Sequence, residues 1–367
     1  MLAAVLHETG TPLALEDLEL EPPRAGELQV RIEAAGVCHS DHHYMTGDLR
    51  IPLPVVIGHE GCGVVEEVGA GVESVRPGDR VALLWRPRCG RCRHCLAGQP
   101  VMCVLGRVQA TTGGLPDDGT TRLRLDGREV HHLMGVSCFA ERAVVSEKSV
   151  IKVPEAIPSP IAAITGCAVI TGVGAVLNVV GECAGRALLI IGAGGVGLSA
   201  VMGARLAGAE PIIVADVDAA KLERARVLGA TTVVLAGRDD LAETVLGEVP
   251  EGVDWAIEAV GRAETIDQAF GMLGTAGVAT IAGFAAPEDM IRLPAQALIY
   301  GQKTIKGSLM GSTNFREDIP TYADLYLEGR LKLDELVART IPLDEVGAML
   351  DAMEAGAEEG PRVVVTF

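Results

Sequence analysis

ALLIIGAGGVG, residues 187–197, decides the fold. Ala187–Ile191 is a run of five apolar residues, as expected of a strand buried on both faces. The turn that follows, Gly192-Ala193-Gly194-Gly195-Val196-Gly197, is GxGxxG and opens a helix rich in alanine and leucine. The first glycine permits a tight turn, the second lets a pyrophosphate approach the backbone, and the third lets helix pack on strand. A second apolar strand, Ile212–Ala215, ends in Asp216. Strand, glycine turn, helix, strand and acid, with the acid about 20 residues on, form a dinucleotide-binding unit. Alternation continues through strands at Thr232–Leu235, Trp255–Ala259 and Val278–Ile281, which predicts a doubly wound parallel sheet in an α/β fold. Asp216 stands where a carboxylate binds ribose hydroxyls and repels a 2′-phosphate, so the expected cofactor is NAD rather than NADP. An acid merely finishing a strand would look the same, and Asp218 is a second candidate.

The whole chain has 367 residues, enough for two or three domains with sizeable cores. Its net charge of -18 disfavours nucleic acid and anionic membrane as partners. Nine cysteines, an odd number clustered at short spacings, point to metal chemistry in a reducing, cytoplasmic setting rather than to a disulfide framework. The start, MLAAVLHETG, lacks the basic region of a signal peptide. Two uncharged runs, Ile161–Gly181 and Ala187–Ala204, are long enough to span a bilayer. The first carries Thr165, Cys167, Thr171 and Asn178 and the second holds the glycine turn, so both are expected to be core helix and strand.

Upstream of about residue 155 the chain is expected to be mostly β, with short runs such as Leu28–Ala34, Gly63–Val68 and Arg80–Leu84 bounded by glycine and proline. Two groups of metal-binding side chains interrupt it. GVCHSDHHYMTGDLRIPLPVVIGHE, residues 36–60, gathers Cys38, Ser40, Asp41, His59, Glu60 and three further histidines. A thiolate and a neutral imidazole suit zinc, and a catalytic zinc needs a third protein ligand and an open position. Alone, Cys38 and His59 would more often be core residues. Cys89, Cys92, Cys95 and Cys103 follow as C-x2-C-x2-C-x7-C, a spacing that can close a tetrahedron around structural zinc. An iron–sulfur cluster is the chemical rival. From Val104 to His132 the chain is polar and glycine-rich and reads as a long loop.

Gly58-His59-Glu60-Gly61-Cys62-Gly63-Val64-Val65, followed by Gly69, Gly71, Val75, Gly78 and Asp79, resembles the zinc signature of the medium-chain alcohol dehydrogenases. Cys38-His39-Ser40-Asp41 is similar to their first ligand and proton-relay segment, and the resemblance runs from Met1 to Phe367. It implies a GroES-like, mostly-β catalytic domain at 1–168 and 310–367, with a zinc lobe at 89–103, and a Rossmann domain at 169–309. It implies Cys167 as third ligand of a catalytic zinc, where the residue alone could equally be core. Ser40 and His43 would carry the proton out, Asp41 would orient His59, and Glu60 would approach the metal. His39, Thr171, Val196, Lys221 and Arg362 match cofactor contacts, though a surface arginine would also suit position 362. Leu49, Trp85, Val108 and Leu133 match an apolar substrate pocket, with Trp85 equally acceptable as core.

The implied activity is reversible oxidation of an alcohol to an aldehyde or ketone with hydride passed to NAD. Arg107 matches an arginine of the glutathione-dependent formaldehyde dehydrogenases, whose partner acid aligns with Leu49 beside Asp48. An S-(hydroxymethyl)thiol substrate is therefore the alternative, and a non-catalytic zinc- and NAD-binding relative is a third reading. Thr304–Met310 is similar to the family's terminal strand, which would lie at a sheet edge and pair with a second copy. A homodimer is expected, with a tetramer as alternative.

Overall fold

The computed structural model describes residues 1–286, 288–354 and 360–367, with residues 108–110 and 354 described by their backbone alone. Two compact units divide the chain. One comprises Met1–Cys167, Asn314–Leu327 and Val337–Phe367; the other comprises Ala168–Thr313 and Glu328–Leu336.

The second unit carries six parallel strands in the order Thr232–Leu235, Ile212–Asp216, Leu188–Ile191, Val253–Glu258, Leu273–Ile281 and Thr304–Gly307. The order reverses beside the first strand of the unit, Leu188–Ile191, where doubly wound sheets take their ligands. The core behind the sheet includes Leu189, Ile213, Ala256, Phe270 and Ala279. Thr304–Gly307 closes one edge.

The division departs from the expected boundary after residue 309. Thr313 Oγ1 donates to Ile170 O at 3.2 Å, and Asn178 Nδ2 donates to Gly311 O at 3.2 Å, so this turn stays with the second unit. Glu328–Leu336 also belongs there. Arg224 Nη1 donates to Glu335 O, and Lys332 Nζ to Val227 O, which ties the segment to the helix Ala219–Leu228.

The first unit is built on a seven-stranded sheet in which the long strand Glu27–Val37 is central. It pairs with Glu60–Val68, Arg142–Ser146 and the C-terminal strand Val363–Thr366, all antiparallel. A second sheet runs Ala14–Asp17, Leu2–Leu6, Val55–Val56, Arg128–His132, Leu123–Leu125 and Glu19–Leu20. Leu6, Leu28, Ile32, Ile57, Leu83 and Phe139 are among the fully buried side chains of this unit.

Val104–His132 is not the loop its composition suggests. It holds a helix, Leu105–Thr112, and the strand pair Leu123–Leu125 and Arg128–His132. Its polar character is spent inside. Arg122, fully buried, pairs with Glu27 and donates to Thr121 O and Asp118 Oδ2, both at 2.9 Å. Buried charge is tolerated only with such partners.

Ser159–Val180 is one continuous helical run, long and apolar enough to cross a membrane by length and composition, yet 78% of its apolar window is buried inside the protein. That matches a core helix. All nine cysteines are free.

Candidate active site

The sheet register of the first unit assembles a buried cluster from distant parts of the chain. Cys38 follows the central strand and opens the helix His39–Thr46. Glu60 starts the neighbouring strand opposite Gly36, which brings His59 and Glu60 beside Cys38. A Cβ on Gly36 would lie 2.2 Å from Glu60 Oε2, so glycine there makes room for the carboxylate. Gly58, at φ 91°, turns the chain into His59 against Phe139. Cys167 sits in a wide π turn, Thr165–Val169, a distortion frequent at functional positions. Gly166 presses so closely on Leu83 O that a Cβ would approach it to 2.5 Å.

The ligand atoms of Cys38, His59, Glu60 and Cys167 all lie within 4.8 Å of one another, and all four residues are buried. Asp41, with no exposure, organises two of them. It accepts from Cys38 N at 3.1 Å, Gly58 N at 3.2 Å and His59 Nδ1 at 2.9 Å. Using Nδ1 for Asp41 leaves Nε2 of His59 for a metal. The shared hydrogen bond with Cys167 holds the Cys38 thiol well below its ordinary pKa, and the same bond pushes Cys167 up. Burial opposes charge on His59, but Asp41 and Cys38 together outweigh it and raise the imidazole well above its usual value. Burial lifts Glu60 to about 7 against the pull of Arg362.

Arg362 brings a further charge to the cluster. Expected beside cofactor phosphates, its guanidinium is buried and committed to the metal-binding cluster. Nη2 donates to Glu60 Oε1 at 2.7 Å and to Cys38 Sγ at 3.4 Å, and Nε donates to Glu60 Oε2 at 3.2 Å. Val363 pairs with Val37, which draws position 362 toward Cys38. No spacing in the sequence signals this contact across 302 residues.

The second metal group is local. Cys92 Sγ lies 3.5 Å from Cys95 Sγ and 4.0 Å from Cys103 Sγ, and Cys89 Sγ lies 3.9 Å from Cys95 Sγ. Zinc with sulfurs at about 2.3 Å has tetrahedral edges of about 3.8 Å. These three edges are close to what zinc requires, and all four sulfurs lie within 4.8 Å of one another. Backbone N–H groups, that of Cys95 first, lower the Cys92 thiol to about 6, favouring the thiolate that a metal requires.

In the second unit the glycine turn has the shape its sequence demands. Gly192 adopts φ 98°, and a Cβ there would meet Val260 Cγ2 at 2.8 Å. A Cβ on Gly197 would fall 1.7 Å from Gly192 O, so only glycine lets the helix Gly195–Leu206 seat on the strand. Nothing lies within 4 Å of a Cβ built on Gly194, which leaves space over the helix N-terminus for a phosphate group. Asp216 Oδ2 accepts from Ala193 N at 2.6 Å and Oδ1 from Asp218 N at 2.9 Å, which anchors the acid to the glycine turn. Asp218 caps the next helix through Ala220 N, so it has a structural duty of its own, and the half-buried Lys221 lies in that first turn. Gly172 packs against Val196 O, bringing Thr171 next to the same helix.

The remaining expected residues divide. Trp85 packs edge-on against His59, ring centres 6.2 Å apart, so it borders the metal cluster. Leu49 is partly buried against the hydrophobic core of the first unit. Leu133 has no accessible surface and belongs to that core, so it has no face to offer a pocket. The Val108 side chain lies outside the described residues. Ser40 is half-buried and His39 exposed in the first turn of the helix His39–Thr46. One turn on, His43 pairs through Nδ1 with Asp48 at 3.0 Å, a contact not foreseen from sequence.

Residues 24–155 match the alcohol dehydrogenase GroES-like domain, and residues 195–328 match the zinc-binding dehydrogenase domain. The class-3 alcohol dehydrogenase of Myxine glutinosa is 39% identical over 358 residues, covering 96% of this chain and 95% of that protein. The NDMA-dependent alcohol dehydrogenase of Amycolatopsis methanolica is 40% identical over 349 residues, covering 94% and 93%. Among solved structures, an alcohol dehydrogenase zinc-binding domain protein from Burkholderia ambifaria superposes with a TM-score of 0.94 at 33% identity, covering 100% of this chain and 98% of that one. Benzyl alcohol dehydrogenase from Acinetobacter calcoaceticus superposes at 0.93 and 30% identity, covering 100% and 99%.

Proposed function

The chain belongs to the zinc-dependent medium-chain alcohol dehydrogenase family, and from that premise we propose that it oxidises an alcohol reversibly to an aldehyde or ketone using one catalytic zinc, one structural zinc and NAD. The observation that carries this reading is the buried meeting of Cys38, His59, Glu60 and Cys167. When bound, zinc acts as a Lewis acid on the substrate oxygen and NAD takes up hydride.

The chain's own residues supply the rest. Cys38, His59 and Cys167 hold the catalytic metal, and Asp41 fixes the geometry of the first two. Arg362 balances the charge of Glu60, so that the carboxylate is kept beside the ligands without leaving a bare buried anion. Ser40 receives the alcohol's hydroxyl proton, and His43, one turn along the same helix, passes it to solvent. Trp85 shields His59 and narrows the approach for substrate. Asp216 supports NAD over NADP, and the open face of Gly194 suits a pyrophosphate.

The test is a panel of primary, secondary and benzylic alcohols, assayed with NAD and with NADP and in the presence and absence of glutathione. Zinc- and NAD-dependent turnover of a simple alcohol is the expected result. Turnover only with formaldehyde plus glutathione would instead support the thiol-adduct reading, for which exposed Arg107 speaks; Asp48, however, is already engaged by His43. Metal and cofactor binding with no turnover would favour the non-catalytic reading. A homodimer formed through the sheet edge at Thr304–Gly307 completes the proposal.

A further inference from the structure

We infer that Asp48 is a positioning residue for proton release: it fixes the ring of His43 so that Nε2 receives the substrate's proton. This rests on the proposed role of His43 as the outer member of the relay. The helix His39–Thr46 ends at Gly47, whose φ of 90° lies in the left-handed region that glycine favours. Gly47 N and Leu49 N both donate to His43 O, at 3.2 and 3.0 Å, which folds the chain back over the helix end. Asp48 is thereby returned to its partner. Its Oδ2 accepts from His43 Nδ1 at 3.0 Å and from Thr46 Oγ1 at 2.9 Å. The backbone reversal and the threonine together hold the carboxylate, so this is not a wandering surface side chain.

An ionised carboxylate only accepts hydrogen bonds, so the facing ring nitrogen must carry the hydrogen. Neutral His43 is then the Nδ1–H tautomer, with its lone pair on Nε2. The hydrogen bond to His43 holds the Asp48 carboxyl below its ordinary pKa, which keeps it ionised. When the proton from the alcohol hydroxyl arrives at Nε2, the ring becomes imidazolium and Asp48 lies against its charged side. The proton then leaves from Nε2 to a buffer base, which restores the starting tautomer. The ring is one-third exposed, so a base can reach it. An ion pair this exposed contributes little to stability, and its effect is on orientation.

The experiment compares Asp48→Asn, His43→Ala and the double variant with the wild type, using benzyl alcohol and NAD at pH 7. Each is assayed across a range of MOPS concentrations at constant ionic strength. Asp48→Asn should lower kcat about tenfold in dilute buffer, a fraction of what a general base contributes. Its KM values, melting temperature and zinc content should stay close to wild type, and concentrated MOPS should restore most of the lost rate. The double variant should be no slower than His43→Ala, because residues acting as one unit are not additive. An impaired, buffer-rescued His43→Ala beside a wild-type-like Asp48→Asn would overturn the inference and leave the relay standing. A fully active His43→Ala would overturn both.

Discussion

Asp41 accepts three hydrogen bonds, from Cys38 N, Gly58 N and His59 Nδ1, and so fixes two of the proposed metal ligands from one buried carboxylate. Carboxylates that orient a metal-bound histidine are worth roughly 10–100-fold in metal affinity. Asp41→Ala should weaken the catalytic site by that amount in a chelator competition and leave the four-cysteine site filled. An unchanged competition curve would deny Asp41 this role. Asp216 makes a different kind of contribution. Its carboxylate is anchored to the glycine turn, and a second negative charge brought near it is repelled by on the order of 1–3 kcal/mol at near-surface dielectric. Asp216→Gly should therefore narrow the NAD-over-NADP ratio of kcat/KM by about tenfold or more. It should also lower kcat/KM with NAD, because Ala193 N loses its acceptor. A wild type that prefers NADP would refute the reading of Asp216.

At the scale of elements, the strand pair Leu123–Leu125 and Arg128–His132 hides two ionisable groups in the first unit. His132 is fully buried, and its Nε2 accepts from Arg122 N at 3.3 Å. Burial, with Arg122 nearby, lowers its pKa to about 3. In the unfolded chain the ring titrates near 6.5, about 3.5 units higher. Below pH 6.5 the unfolded chain binds the extra proton, so stability is full above that value and falls as pH drops toward 3. The loss is up to about 1.4 kcal/mol per pH unit across the window. The melting temperature should drop more between pH 7 and pH 5 in the wild type than in His132→Gln. Equal drops would show that other groups account for the acid sensitivity.

The same pair shows where sequence reading stops. GxGxxG and the four clustered cysteines are legible because their function needs residues at fixed short spacing. The strands of the parallel sheet are legible because burial on both faces makes them apolar throughout. Arg122 and His132 look like surface residues in a polar loop; pairing with Glu27, 95 positions away, makes the burial of Arg122 tolerable, and His132 is buried as a neutral ring that accepts from Arg122 N. Arg362 and Glu60 are hidden for the same reason: their contact follows from sheet register rather than from any local pattern.

For the whole molecule, two separate ligand sets should bind about two zinc ions per chain, since each set supplies a full complement. Elemental analysis near one, or iron with sulfide, would remove one of the sites. The edge strand Thr304–Gly307 follows a short helix, Ala295–Tyr300, that buries none of its residues. Ile299 and Tyr300 on that helix are largely exposed, and Met290 precedes it in the same state. An edge strand left bare beside exposed apolar side chains invites pairing, and a two-fold axis would set this strand against its own copy. Light scattering at micromolar protein should give twice the 38.2 kDa chain mass. Ile299→Glu with Tyr300→Glu should shift the protein toward monomer. An active wild-type monomer would exclude the interface as a requirement, and a fourfold mass would favour the tetramer.

The two metal clusters differ in how much of the chain each requires, and this gives them different histories during synthesis. The lobe's four sulfurs lie within Cys89–Cys103, a loop so short that its closure costs little entropy. A growing chain can close it soon after that stretch leaves the ribosome. The buried cluster draws on Cys38 and His59, on Cys167 more than 100 residues later, and on Arg362, 302 positions after Glu60. At about 5–20 residues per second, tens of seconds at most separate the first ligand from the last partner. Throughout that interval Cys38 and Glu60 lack their balancing cation, and the central strand lacks its C-terminal neighbour Val363–Thr366. The lobe's sulfurs can thus gather first, and the buried cluster becomes complete only once the strand Val363–Thr366 has been made and has paired with the central strand.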